Sequence, residues 1–407
     1  MLSVEEHLAA CLSAARPLPA ADVGLLDALG CRLARDVTSE VDLPPFDNSA
    51  MDGYAVRVAD VAGASPERPA VLPVVADVPA GPTERRELSR GTCVRIMTGA
   101  PVPAGTQAVV PVEWTDAGTS TVEIRRPTGQ GAHVRCVGED VVRGHVVLPA
   151  GTLLSARKIC LLAAVGRSRV QVVPRPRVVV ISTGSELLAP GHPLRYGQVY
   201  DANGYGLTAA ATQAGCVARH VGAVADDPPA FAALLEAELG EADVVVTSGG
   251  VSAGAYEVVK DALGGLGTVT FRKVAMAPGM PQGFGTVGAG STPIFTLPGN
   301  PVSSMVSFEL FVVPVLRRLM GAEPGSRPAV RARAAVGWSS PAGKRQFVRA
   351  VLEDPGEGVL RVRPLGGQGS HLVADLATAS CLAVVPEDVV AVGAGEELEC
   401  LLLDRAW

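Results

Sequence analysis

The chain has 407 residues, 48% hydrophobic and 19% charged, which supports packed cores and excludes a disordered chain. Its length points to two to four domains. With 41 acids against 35 bases the net charge is −6, and only 4% of residues are aromatic. No concentrated basic face stands out, so nucleic-acid binding is not expected. Eight cysteines form no CxxC pair and no zinc-finger spacing, which reads as reduced thiols. The N-terminus lacks the apolar core and basic flank of a secretory signal, and the uncharged stretch 283–308 holds too much Gly, Pro and Ser for a membrane helix. A soluble, cytoplasmic protein with no membrane insertion is expected.

In chain order, Ser3-x-x-Glu6 followed by Val4, Leu8, Cys11 and Leu12 predicts a capped N-terminal helix. A second helix is predicted at 153–166, and the two are grouped into one N-terminal helical and linker domain, 1–43 plus 138–173. Between them, 44–137 carries short alternating runs such as RPAVLPVVADV and TVEIRR, the pattern of a β-rich insertion. From 174 to 325 strands alternate with helices. The strands are RVVVIS (177–182), 216–224, DVVVTS (243–248), 268–274 and PIFTLP (293–298); the helices are 205–214, 228–239, 257–263 and 302–320. That rhythm predicts a doubly wound parallel sheet. Residues 326–407 return to short strands (VRARAAV, KRQFVRAVL, GVLRVRPL, ELECLLL) and read as a C-terminal β-barrel or sandwich. The fold class is thus α/β plus β in an elongated multidomain subunit.

Ligands of an open parallel sheet bind beyond the carboxyl ends of its strands. There the chain has Thr183-Gly184-Ser185-Glu186, Tyr200-Asp201-Ala202-Asn203, Asp226-Asp227-Pro228, Ser248-Gly249-Gly250-Val251-Ser252 and Pro298-Gly299-Asn300-Pro301. Small residues let backbone N–H groups approach an oxyanion or phosphate, and Glu186, Asp201, Asp226 and Glu257 bring oxygen ligands that suit Mg²⁺. Each loop alone is ordinary punctuation, and a lone Glu186 is as readily capping chemistry. Five of them on one sheet edge point to a Mg²⁺-assisted site for a phosphorylated or oxyanion ligand.

Taken together, FDNSAMDGYAV (46–56), RIMTGAPVPAG (95–105), GED (138–140), STGSEL (182–187), SGGVS (248–252), LPGNPVSS (297–304) and QGSH (368–371) resemble the molybdopterin molybdenumtransferase family, which includes the matching C-terminal domain of gephyrin. The likeness covers nearly the whole chain. It implies an elongated homodimer of four-domain subunits whose α/β domain resembles molybdopterin adenylyltransferase, the enzyme acting upstream. The implied reaction takes adenylylated molybdopterin and molybdate, with Mg²⁺, to molybdenum cofactor and AMP. By motif match Asp52, Thr98, Asp140, Glu186 and Asp226 are the expected catalytic positions. Ser248, Gly249, Gly250, Pro298, Asn300, Pro301, Arg349 and Ser370 are expected to bind substrate, and Glu186 and Glu257 the metal. The resemblance also implies that the Asp52 and Thr98 motifs complete the partner subunit's site.

The chain departs from the family where basic residues are usual. It reads Ala277-Pro278-Gly279-Met280-Pro281 in place of KPGKP, and Asp201-Ala202-Asn203-Gly204 in place of DSNR. Loss of two lysines from a dianion site predicts weaker binding unless Lys273, Lys344 or Arg345 replaces their charge. Two readings follow: a molybdenum-inserting enzyme, or a gephyrin-like scaffold holding a cell-division or membrane-receptor partner.

Overall fold

The computed structural model describes residues 1–250, 258–325, 327–356 and 358–403. The chain divides into two compact units. One is Asp22–Leu29 with Leu33–Gln171; the other is Met1–Ala21, Gly30–Arg32 and Val172–Trp407.

The first unit is built on a five-stranded sheet. Its strands are β1 (Gly53–Val56), β2 (Ala70–Val78), β3 (Cys93–Ile96), β4 (Ala108–Pro111) and β5 (Thr121–Ile124), in the order β4-β1-β3-β2-β5. Because side chains alternate along a strand, one face collects Tyr54, Val56, Cys93, Val110 and Ile124 and the other Ala55, Val94, Ile96 and Val109. Both faces are buried, which fits the run of apolar residues.

The second unit carries a six-stranded sheet of β6 (Arg177–Thr183), β7 (Val217–Val224), β8 (Val244–Ser248), β9 (Val269–Lys273), β10 (Pro281–Val287) and β11 (Thr292–Leu297). Their order is β7-β6-β8-β11-β10-β9. The β7-β6-β8-β11 pairings are parallel, as expected, but β11–β10 and β10–β9 are antiparallel. The sheet is therefore mixed, with an antiparallel edge added to the doubly wound half.

Its two faces are covered by different helices. Val178, Val180, Val244 and Val246 pack with α1 (Val4–Ser13), α2 (Ala202–Gln213), α5 (Pro301–Ser307) and α6 (Val313–Leu319). Val179, Ile181 and Val245 pack with α3 (Pro228–Glu238) and α4 (Val258–Gly264). The predicted capping box is present: Ser3 accepts from the Glu6 N–H at 3.0 Å while Glu6 accepts from the Ser3 N–H at 2.7 Å. Val4, Cys11 and Ala15 of the N-terminal segment are buried in the α/β core, whereas Ala156–Ala164 lies in the other unit. Amphipathic spacing specifies a buried stripe, not its partner.

The predicted long helix 302–320 is interrupted by a π-helical turn, Phe308–Val312, between α5 and α6. Glu309 of that turn is 9% exposed and is clasped by Arg327, with Nε–Oε2 and Nη2–Oε1 both at 2.7 Å. Arg327 Nη1 also donates to the Leu403 carbonyl at 2.8 Å.

The remaining strands are β12 (Ala329–Ala334), β13 (Arg345–Glu353), β14 (Arg361–Pro364), β15 (Cys381–Val385) and β16 (Glu397–Leu402). They follow the order β13-β14-β12-β16-β15, and β13 pairs with β15 to close a five-stranded barrel. Ala332, Val348, Val362, Ala383 and Cys400 fill it. No helix among the described residues is long and apolar enough to cross a membrane.

Candidate active site

At the carboxyl edge of the parallel strands the described parts of the predicted loops converge, while Val251 and Ser252 lie outside the described residues. Asp201 caps α2, accepting from the Gly204 N–H at 2.8 Å, and its Oδ1 also takes the Ser182 hydroxyl at 2.9 Å. His220 Nε2 lies 3.0 Å from its other oxygen. Burial pushes the Asp201 pKa up, but the contacts from His220, the Gly204 N–H and Ser182 together outweigh burial and hold it below its ordinary value. A depressed carboxyl pKa stabilises the fold above the unfolded value and loses that contribution as pH falls through the folded one. Acid titration of stability from ~pH 5 to ~pH 2 is therefore expected to be shallower in Asp201→Asn than in the native chain, and equal slopes would contradict this assignment.

Asn203 ties three loops together. Its Nδ2 donates to Ser248 Oγ and to the Gly299 carbonyl, both at 2.7 Å. Ser248 Oγ in turn approaches the Pro298 carbonyl at 3.4 Å. Gly249 has φ +97°, and a Cβ there would lie 2.5 Å from the Thr183 carbonyl oxygen, so that position requires glycine. The Val302 N–H donates to the Ser370 carbonyl at 3.1 Å, which brings the QGSH segment onto the same edge. Asn300 occupies the N-cap position before Pro301 but makes no side-chain capping bond.

Glu186 and Asp226 stand on neighbouring loops joined through Ser185. The Ser185 N–H donates to Asp226 Oδ2 at 3.1 Å, and the Asp226 N–H donates to Ser185 Oγ at 2.9 Å. The Glu186 carboxylate lies over Gly184, where an added Cβ would meet it at 2.6 Å. Glu257, the other expected metal ligand, lies outside the described residues. No group of three or more His, Cys, Asp or Glu side chains with metal-holding geometry occurs among the described residues.

In the other unit Asp52 and Thr98 are brought together. Asp52 Oδ1 accepts from the Thr98 N–H at 2.7 Å and from its hydroxyl at 2.9 Å. These bonds, the backbone one foremost, lower the Asp52 pKa and keep the exposed carboxylate ionised. Asp140 is exposed on a neighbouring turn, where its N–H donates to the Leu43 carbonyl at 2.9 Å. No hydrogen bond among the described residues joins its carboxylate to Asp52.

A cavity of about 590 Å³ opens between β9, the 278–282 turn and the 298–300 loop, with Gln368 and Ser370 at its side. Lys260, Arg272 and Lys273 line it. Met280 lies in this wall, whereas Ala277 lines an adjoining cavity that shares Pro278 and Gln368 with it. Of these three bases the sequence singled out Lys273 alone. Arg349 is 5% exposed and directs its guanidinium to backbone oxygens. Its Nη1 donates to the Gly369 and Leu372 carbonyls at 3.1 and 3.0 Å, and its Nη2 to the Gly367 carbonyl. It holds the loop that carries Ser370.

The sequence reading missed Lys260, Arg272, His220 and the buried Gln346. The basic signal at Arg272-Lys273 was visible, but its position depends on an antiparallel strand pair that the sequence conceals.

Comparison with known proteins covers the whole chain. Residues 2–166 match the MoeA N-terminal region (domain I and II), residues 179–318 a probable molybdopterin binding domain, and residues 331–403 the MoeA C-terminal region (domain IV). The chain is 48% identical to molybdopterin molybdenumtransferase 2 of Mycobacterium tuberculosis, over 98% of this chain and 99% of that one. It is 40% identical to molybdopterin molybdenumtransferase 1 of the same organism, over 99% of each. The crystal structure of the molybdopterin biosynthesis moeA protein from Pyrococcus horikosii is similar with a TM-score of 0.81 and 33% identity, covering 100% of both chains.

Proposed function

Because the chain belongs to the molybdopterin molybdenumtransferase family, we propose that it transfers molybdenum from molybdate into adenylylated molybdopterin and releases AMP. The observation that carries this reading is the cavity where Lys260, Arg272 and Lys273 face the 298–300 loop and Ser370. A dianion such as molybdate is drawn to clustered cations beside small residues that leave room for its oxygens.

The remaining roles follow from placement. Asn203 and Ser248 fix the loops that shape the cavity, and Arg349 presents Ser370 through the loop carbonyls. Glu186 and Asp226 offer hard oxygen donors that suit a weakly held Mg²⁺ keeping several of its waters, with Glu257 as a third candidate. When bound, that ion would offset phosphate charge. Asp52, its carboxylate kept ionised by the two hydrogen bonds from Thr98, is suited to complete a partner subunit's site, and we assign Asp140 to the same role. A homodimer is the expected assembly, with light scattering giving twice the chain mass. An adenylyltransferase must act upstream to supply the substrate. The four-domain division, 1–43 plus 138–173, 44–137, 174–325 and 326–407, belongs to the same proposal. The scaffold reading arose from the missing lysines, and the three bases in the cavity remove its motive. The direct test is molybdate-dependent AMP release from adenylylated molybdopterin. Release above the rate without molybdate is expected, and a folded, dimeric protein with none would overturn the reading.

A further inference from the structure

Glycine inside a helix is unfavourable beside alanine, so Gly204, the third residue of α2, calls for a cause. That cause is a side chain from an edge strand. A Cβ at Gly204 would collide with His220 Nε2 and would lie 2.6 Å from His220 Cε1 and 2.5 Å from Asp201 Oδ2. His220 stands on β7 opposite Val180 of β6. Residues paired across a ladder share a face, so the imidazole points with Val180 towards α2. It fills the volume that a side chain at 204 would take.

The ring is held there from two sides. Its Nε2 lies 3.0 Å from Asp201 Oδ2, and neither of these buried atoms has another polar partner among the described residues. A carboxylate at that distance requires the proton on Nε2, because a lone pair there would repel it. The Tyr205 ring meets the imidazole edge-on, with centroids 5.3 Å apart. Asp201 Oδ1 is already taken by the Ser182 hydroxyl and the Gly204 N–H. His220 therefore completes the set that fixes both oxygens of the residue capping α2.

Two residues on, Asn203 Nδ2 reaches the Ser248 hydroxyl and the Gly299 carbonyl, and Gly299 lines the cavity of Lys260, Arg272 and Lys273. We propose that His220 is a positioning residue for that cavity. By holding Asp201 it sets the first turn of α2, and through Asn203 it sets the 298–300 loop. β7 lies three strands from β11, whose end carries that loop, roughly 14 Å across the sheet, so His220 acts through Asp201 rather than by contact. The positioning itself stands on these contacts, and its effect on turnover rests on the function proposed above.

The test compares His220→Leu with His220→Gln, whose side-chain amide can offer Asp201 the same N–H. In His220→Leu, hydrogen exchange of the intact protein should quicken several-fold in peptides covering 202–206 and 298–304. Its KM for molybdate should rise about fivefold while kcat stays within about twofold. His220→Gln should bring both readouts back towards native. Gly204→Ala, which suits a helix but pushes the imidazole off Asp201, should reproduce the loss, and it carries the test should His220→Leu fail to fold. Exchange and KM unchanged in the folded variants overturn the assignment. So does a glutamine variant no better than leucine, or a lowered Tm with the 298–304 peptides unaffected, since either marks His220 as packing alone. Exchange that responds as expected in a protein without molybdate-dependent turnover upholds the positioning and sinks the functional reading beneath it.

Discussion

Replacing Arg272 and Lys273 together with alanine is expected to lower molybdate-dependent kcat/KM by roughly 100-fold, two charge-assisted contacts at about 1.5 kcal/mol each. The low end of the usual range applies because both side chains reach solvent, where water and salt screen them. The loss should appear mainly in KM for molybdate, since a cation that binds ground state and transition state alike does not alter kcat. Raising ionic strength should reproduce part of the defect in the native protein. Arg125→Ala, in an exposed ion pair of the other unit, serves as the charge control and should change little. Met280→Lys adds a fourth base to the same wall and is expected to gain less than about threefold, because the dianion is already neutralised. A double variant within threefold of the native rate, or a large gain from Met280→Lys, would show that the three bases do not replace the family's lysines.

The second large effect concerns stability. Glu309 and Arg327 are both nearly buried, and their two 2.7 Å contacts form a bidentate pair inside the α/β unit. Removing one partner strands a charge in a dry site, so Glu309→Ala or Arg327→Ala is expected to cost about 3–5 kcal/mol each. For a unit of this size that corresponds to a fall in Tm of roughly 6–20 °C. Removing both charges with packing preserved, as in Glu309→Leu with Arg327→Met, should recover most of the loss, since the pair's attraction does little more than offset its own desolvation. Calorimetric scans of the two single variants and the double variant against the native protein decide the matter. Singles that melt with the native protein would mean that the pair is solvated enough to be dispensable.

What the sequence made legible was whatever a periodic or apolar run encodes by itself. The strands at 177–182 and 243–248 are uninterrupted valine-rich runs, and a parallel sheet buried on both faces produces such runs. The loops at 183–186, 226–228 and 298–301 meet at one edge because topology alone sends strand ends there. The strand Pro281–Val287 was missed because Gly283 and Gly285 look like loop residues. They are glycines for the opposite reason: a Cβ at Gly283 would sit 1.7 Å from Thr296 Oγ1, and one at Gly285 would sit 2.1 Å from the Thr268 carbonyl oxygen. The neighbouring strands crowd them. Without that strand, β9 has no partner, and Arg272 and Lys273 have no address. Arg349 illustrates a different limit. Its residue type announces an anion ligand, but in the fold backbone carbonyls occupy its guanidinium.

The burial of α1 among residues far along the chain has a consequence for synthesis. Val4, Cys11 and Ala15 find their core partners at Phe311, Phe347 and Leu401, so this helix emerges from the ribosome roughly 300 residues before its socket exists. At ordinary elongation rates that is a wait of roughly 15–60 s, during which its apolar stripe is exposed. The unit that includes Leu33–Gln171 is complete well before then. The chain thus carries this segment unplaced through most of translation, and truncations that stop before Phe308, and so lack the π-turn and α6, should leave the Cys11 thiol open to alkylation that the finished protein resists.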